Sequence, residues 1–250
     1  MSIYLVTSSN GSYMPKMRPY LMDLQERLNG EIIPLVMTVD CGPPEWVSDV
    51  PRINWIPMTA EQNRGTSEST SVEHGSFLNL IDAEDDDLII KTDGDLRMQR
   101  PLTPDEMNEL NAFPADGLAA AWNAGPGDTL GDEARRLYPL VDADEIARRF
   151  PGYESVPCGN GGVWIARRSA YQAMYDAYMA RWVTARETFR HYARQQWLIN
   201  YARMAAGLVF VELSSAIHAQ GHYGFPPGVG ISGDGTATYH GRPVVWRHKL

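Results

Sequence analysis

The chain has 250 residues, with 22 Lys plus Arg against 31 Asp plus Glu and a formal net charge of −9. Apolar residues make up 44% and charged residues 21%, which excludes a disordered tail; a chain this long buries roughly three-quarters of its surface on folding and needs no disulfide or metal staple. A sequence pI of about 5.1 argues against a broadly basic nucleic-acid surface, though not against a local basic patch.

The first predicted element is a short buried strand over residues 3–7, closed by the turn cluster Ser8-Ser9-Asn10-Gly11. Residues 15–28 read as a helix with Pro15 in its first turn and Asn29-Gly30 as its stop. Strands follow over residues 32–39 and 53–56, and this strand–helix–strand start points to an α/β layer with a parallel sheet. A helix is expected over residues 72–81, then an acidic loop at Asp85-Asp86-Asp87 that caps the next strand as a solvated turn. Leu88-Ile89-Ile90 is a compact apolar strand of the kind buried at a sheet centre. Beyond it, residues 104–112 and 131–150 read as helical, 117–122 and 161–166 as strands. Residues 169–184 and 187–206 read as two helices, 208–213 as a late strand, and the Gly-, Pro- and His-rich tail ends in a strand over 243–247. No linker interrupts the pattern, so one domain is expected, with residues 1–95 and 96–250 as its two halves.

Cys41 and Cys158 form no disulfide framework and no Cys-x-x-Cys, which reads as a reduced compartment. The N-terminus lacks the basic and long apolar regions of a signal peptide, and no apolar stretch reaches about 18 residues. A cytoplasmic protein is expected. Neither a Gly-x-Ser-x-Gly elbow nor a His-Glu-x-x-His zinc motif occurs.

The strand at 88–92 runs into Asp93-Gly94-Asp95. In open α/β sheets ligands bind at the carboxyl ends of the strands. Two carboxylates delivered there repel each other unless a cation or a proton lies between them. A hard divalent ion, Mg²⁺ or Mn²⁺, resolves the repulsion and bridges to substrate phosphates. The alternative is a polar strand-end turn, since Asp and Gly are common turn formers.

On these residues the sequence resembles the GT-A fold glycosyltransferases, most nearly the family 8 group of glycogenin and galactosyltransferase type. The opening Tyr4-Leu5-Val6-Thr7-Ser8 with Tyr13 resembles that family's first strand and nucleotide-cradling loop. Cys158-Gly159-Asn160-Gly161-Gly162-Val163 resembles its Asn-x-Gly-Val strand entry, and Gln195-Gln196-Trp197-Leu198-Ile199-Asn200 its Asp-Gln-Asp-x-Leu-Asn helix. Two departures stand out: Gln195 replaces the family's Asp, and the closing His-x-x-Gly-x-x-Lys-Pro-Trp is not reproduced cleanly. His218, His240 and His248 are therefore all candidates for a third metal ligand, with His248 favoured because a late strand would return it to the sheet edge.

The resemblance implies a single-domain GT-A fold with a mixed, mostly parallel central sheet flanked by helices. It implies a UDP-sugar donor, retention of configuration, and Mn²⁺ or Mg²⁺ held by Asp93, Asp95 and a His. Thr7, Ser8 and Asp40 are expected at the uridine, and Asn160, Gly161, Gln195 and Gln196 at the donor sugar or acceptor. Arg64 and Lys91 are candidate phosphate partners, or ordinary ion-pair residues. A helix over 187–206 would put Phe189, Tyr192, Ala193, Gln196, Asn200 and Met204 on one face, leaving the Gln196 amide in an apolar stripe where it must find partners. The acceptor is open: a glycan, lipid, protein, small molecule or modified DNA base. Two rival readings are a nucleotidyltransferase, which calls for a basic Gly-rich loop after the first strand, and a non-catalytic nucleotide- or carbohydrate-binding protein of the same fold.

Overall fold

The computed structural model describes residues 1–59, 61–62, 75–137, 142–189, 194–221 and 223–248. Arg64, His74, His191 and His222 lie outside the described residues.

Seven strands form one sheet in the order β3-β2-β1-β4-β7-β6-β8. They are β1 (Ile3–Asn10), β2 (Ile32–Val39), β3 (Asn54–Met58), β4 (Leu88–Thr92), β6 (Gly117–Ala120), β7 (Val163–Arg167) and β8 (Val209–Glu212). β7 runs antiparallel to both its neighbours; every other pairing in the sheet is parallel. Strands from both halves of the sequence share this sheet, giving the single α/β domain that was expected.

The inner strands of the sheet are buried on both faces, so they are apolar runs rather than alternating ones, whereas the edge strands β3 and β8 are partly exposed. Leu5, Val36, Leu88, Ile90 and Ile165 face α1 (Met14–Arg27) and pack with its Met17, Leu21 and Leu24. Val6, Met37, Ile89, Trp164 and Leu118 face the other way, towards α5 (Arg168–Thr188) and α6 (Arg194–Ala205), where Tyr171, Met174 and Trp197 meet them. The remaining helices are α2 (Pro104–Asn111), α3 (Leu130–Leu137) and α4 (Ala143–Arg149).

The expected helix over 187–206 is two elements. α5 continues to Thr188, Phe189 is extended at φ −112° and ψ 116°, and α6 starts at Arg194. Thr188 Oγ1 donates to Thr184 O at 2.8 Å, a local bond that competes with helix propagation. Phe189 still reaches the core, stacking on Phe150 and packing against Trp197. The described part of the expected 72–81 helix is a 3₁₀ turn over Ser76–Asn79. In the acidic loop, Asp87 is buried rather than solvated and accepts from the Ser2 and Glu84 amides.

Two small sheets complete the fold. One is β10 (Val229–Ile231), β11 (Ala237–Tyr239) and β12 (Arg242–Pro243). The other brings β5 (Arg97–Met98), β13 (Trp246–His248) and β9 (His218–Gln220) together in the order β5-β13-β9. Asp23 of α1 anchors β5: its buried carboxylate accepts from Arg97 Nε at 2.6 Å, Arg27 Nη1 at 2.6 Å and the Met98 amide at 3.2 Å.

Candidate active site at the carboxyl end of the central strand

Pairing register brings the site together. β4 and β7 are antiparallel with Thr92 opposite Val163, so residues just past β4 lie beside residues just before β7. The Asp93 amide donates to Gly162 O at 2.8 Å. On the other side β5, two residues past Asp95, pairs antiparallel with β13, Met98 opposite Trp246 and Arg97 opposite Arg247. That register delivers His248 to Asp95. His248 Nε2 stands 3.3 Å from Asp95 Oδ1 and 3.7 Å from Asp93 Oδ2.

Two glycines are required by close approach. A Cβ at Gly162 would lie 2.5 Å from His248 Nδ1, and one at Gly94 would lie 2.6 Å from Met17 Cγ. Gly94 thus lets the turn settle onto α1, and Gly162 lets the imidazole settle onto the turn.

Asp93, Asp95 and His248 each offer a ligand atom within 4.8 Å of the others. The His248 ring is 3% exposed and neither nitrogen has a hydrogen-bond partner. A buried imidazole left without hydrogen bonds and facing two carboxylates is a donor set suited to a divalent ion of the Mn²⁺ type. His218 stacks on His248 with ring centroids 5.8 Å apart; in the parallel β9–β13 register it lies opposite Trp246, two residues before His248. It is fully buried, and desolvation pushes its pKa well below the ordinary value. His240 occupies the β11–β12 turn at φ 48°.

The turn at 159–162 is held by amide side chains. Gln196 Oε1 accepts from the Gly161 amide at 2.9 Å, which fixes its orientation because the partner is an N–H. One helical turn on, Asn200 grips Gly159 at both ends, Oδ1 from its N–H at 2.8 Å and Nδ2 to its carbonyl at 2.9 Å. Gln196 and Asn200 thus share a face, as expected, and that face meets the turn. Asn160 Oδ1 accepts from the Gly162 amide at 2.8 Å, and its Nδ2 reaches Asn123 Oδ1 at 3.3 Å. Gln195 is 8% exposed and sits about 100° around α6 from Gln196.

Thr7 and Ser8 lie within β1, level with the end of β4 and so with Asp93, and Asp40 directly follows β2. Thr7 is 1% exposed and on the α1-facing side, whereas Ser8 is on the opposite face. Asp40 is exposed in a left-handed conformation, φ 50°, with its amide donating to Met58 O at 2.9 Å. Lys91 is turned inward, bonding Asp93 Oδ1 at 2.5 Å and Gly161 O at 2.7 Å.

Several groups around the site carried no motif. Asn123, fully buried, donates to Glu133 Oε2 at 2.9 Å, and its carbonyl accepts from Gln220 Nε2. Arg136 bridges Glu133 and Asp128 at 2.9 and 2.7 Å. Burial raises the pKa of both carboxyls. With Cys158 these carboxylates make a second group of potential ligands. The Arg136 guanidinium already fills the space between them, and burial and the carboxylates hold the thiol protonated. Only a lone Asn after a strand and an Arg pair on a helix mark these residues in the sequence. Neither pattern separates them from surface residues.

By sequence, no family model and no curated protein matches the chain. By structure it resembles mouse xyloside xylosyltransferase 1 in its apo form, with a TM-score of 0.56, 16% identity and 88% of each chain covered. It also resembles the galactosyltransferase LgtC, solved in complex with donor and acceptor sugar analogs, with a TM-score of 0.58, 13% identity, and 99% of this chain and 87% of that chain covered. No described helix is long and apolar enough to cross a membrane. The chain has the GT-A fold of these glycosyltransferases.

Proposed function

We propose that the protein is a glycosyltransferase moving a sugar from a nucleotide sugar, a UDP-sugar, to an acceptor, with retention of configuration. One observation carries the reading: Asp93, Asp95 and His248 converge at the carboxyl end of the central strand, in a fold shared with two sugar transferases. These three residues would hold Mn²⁺ or Mg²⁺, which when bound supplies positive charge to the diphosphate as it leaves the sugar.

The chain's own groups do the rest. Ser8 and Asp40, with Thr7 behind them, shape the nucleoside end of the sheet edge, and Arg64 serves the phosphates. The left-handed Asp40 suits this role, because strained backbone concentrates where a side chain must be aimed at a ligand. The Asn160-Gly161-Gly162 turn, braced by Gln196 and Asn200, forms the wall for the donor sugar, with Gln195 behind it. The side chains bonded to this turn are amides, with the Lys91 ammonium on Gly161 O.

Calorimetric titration with UDP, with and without Mn²⁺, on the wild type and on Asp95→Ala tests the reading. Mn²⁺-dependent binding lost in the variant is expected, together with slow release of UDP from a UDP-sugar without acceptor. UDP binding that ignores both metal and mutation would overturn the site. Binding without turnover of any UDP-sugar would leave a nucleotide-binding protein.

A further inference from the structure

Resting on that reading of the 159–162 turn, we propose that Glu133 is a positioning residue that fixes which way round the Asn160 amide stands, acting through Asn123. Three side chains link α3 to the turn. Glu133 Oε2 accepts from Asn123 Nδ2 at 2.9 Å and from Arg136 Nη2 at 2.9 Å. Asn123 Oδ1 accepts from Asn160 Nδ2 at 3.3 Å, and Asn160 Oδ1 accepts from the Gly162 amide at 2.8 Å. Glu133, Asn123 and Asn160 are all buried.

A side-chain amide has a donor end and an acceptor end, and its partners decide which way each points. Both ends of this relay are decided. The Gly162 N–H only donates, which turns Asn160 Oδ1 to it and Nδ2 to Asn123. The Arg136 guanidinium only donates, which keeps Glu133 Oε2 an acceptor and turns Asn123 Nδ2 to it. The two assignments agree where they meet, Asn160 Nδ2 on Asn123 Oδ1. Without an acceptor at position 133, the Asn123 amide is released to turn its donor end on the donor end of Asn160, and the bond to Gly162 gives way. The effect reaches the cation site. A Cβ on Gly162 would stand 3.0 Å from Asn160 Oδ1 and 2.5 Å from His248 Nδ1, so Gly162 is held between the relay and the imidazole. Glu133 thus acts at one remove, on the turn that walls the donor and seats His248.

The test compares the wild type, Glu133→Met, Glu133→Gln and the double variant Glu133→Met/Asn123→Asp, with thermal melts to confirm that each folds. Glu133→Met fills the space without an acceptor, whereas Glu133→Gln keeps an oxygen for Arg136 and Asn123. Asn123→Asp supplies a group that only accepts, and so meets Asn160 correctly whatever stands at position 133. Two quantities are read: hydrogen exchange of the Gly162 amide by nuclear magnetic resonance, and calorimetric binding of UDP with Mn²⁺. In Glu133→Met the Gly162 amide should exchange about tenfold faster than in the wild type, and Mn²⁺-assisted UDP binding should weaken. Both should return towards wild-type values in Glu133→Gln and in the double variant. Unchanged Gly162 exchange in folded Glu133→Met, or no recovery in the folded double variant, would overturn the inference while leaving the UDP-sugar reading standing. Exchange that follows this pattern while UDP binding stays constant across the variants would overturn the positioning role. Failure of the wild type to bind UDP with Mn²⁺ would overturn the UDP-sugar reading, and with it the role of the relay at the donor.

Discussion

The His248 imidazole rests on the bare Cα of Gly162: a Cβ there would stand 2.5 Å from Nδ1. The contact joins the end of β13 to the entry of β7, and through the Asp93 amide to the end of β4. Three strands remote in sequence therefore share one point, and the Asp93–Asp95–His248 group exists only while they do.

Gly162→Ala should push the ring off the carboxylates without unfolding the chain. The expected result is loss of Mn²⁺-assisted UDP binding, with a melting temperature lowered by only a few degrees. Titration calorimetry beside a thermal melt checks it. Undiminished Mn²⁺-assisted binding would mean that His248 is not a ligand.

Asp23 offers a test at a distance. Its buried carboxylate holds Arg97, Arg27 and the Met98 amide, and so the strand on which β13 pairs. Asp23→Ala leaves the Met98 N–H without its acceptor, at a cost of about 2 kcal/mol in denaturant unfolding. Mn²⁺-assisted UDP binding should weaken as well, because the register that delivers His248 loosens. A stability loss with unchanged binding would show that β13 is held independently of β5.

Asn200 should be costly to lose. Asn200→Ala removes both bonds to Gly159 and leaves a buried N–H and carbonyl without partners, about 2–4 kcal/mol in chemical denaturation. The Gln196→Ala change, which removes one bond to the half-buried Gly161, should cost about 1 kcal/mol and act mainly on the donor. The contrast between the two variants separates fold from function on a single helix face.

Glu106 makes a pH prediction. It closes a capping box with Thr103 and pairs in two-point fashion with Arg100. Those bonds outweigh its partial burial and hold its pKa below the ordinary 4.5. A carboxyl with a lowered folded pKa contributes stability that is present above 4.5 and lost as pH falls through the folded value. Glu106→Gln should therefore narrow the stability gap to the wild type as pH drops from 6 to 3, read from urea midpoints across that range. A gap that stays constant with pH would show that the ion pair adds nothing.

The sequence by itself determined what is local. β2 is found at its expected bounds, and α1 and β4 close to theirs, because an apolar run or a Pro-to-Gly helical stretch carries its signal within about a dozen residues; β1 instead runs on through Ser8, Ser9 and Asn10, which read as a turn but pair with β2. Asp93-Gly94-Asp95 was legible for the same reason, as a polar turn ending an all-apolar strand. Tertiary structure decided the rest. No local window states that β7 runs antiparallel to β4, yet that direction places Asn160-Gly161-Gly162 beside Asp93. No window states the β5–β13 register, and a one-residue slip would turn His248 to the opposite face. The break at Phe189 has no Gly or Pro to announce it, and Lys91 reads as a surface cation until burial shows where it points. For the strand direction, the register and Lys91 the physical reason is one: propensity and periodicity act along the chain, whereas strand pairing and the neutralisation of a buried charge depend on groups far away in sequence.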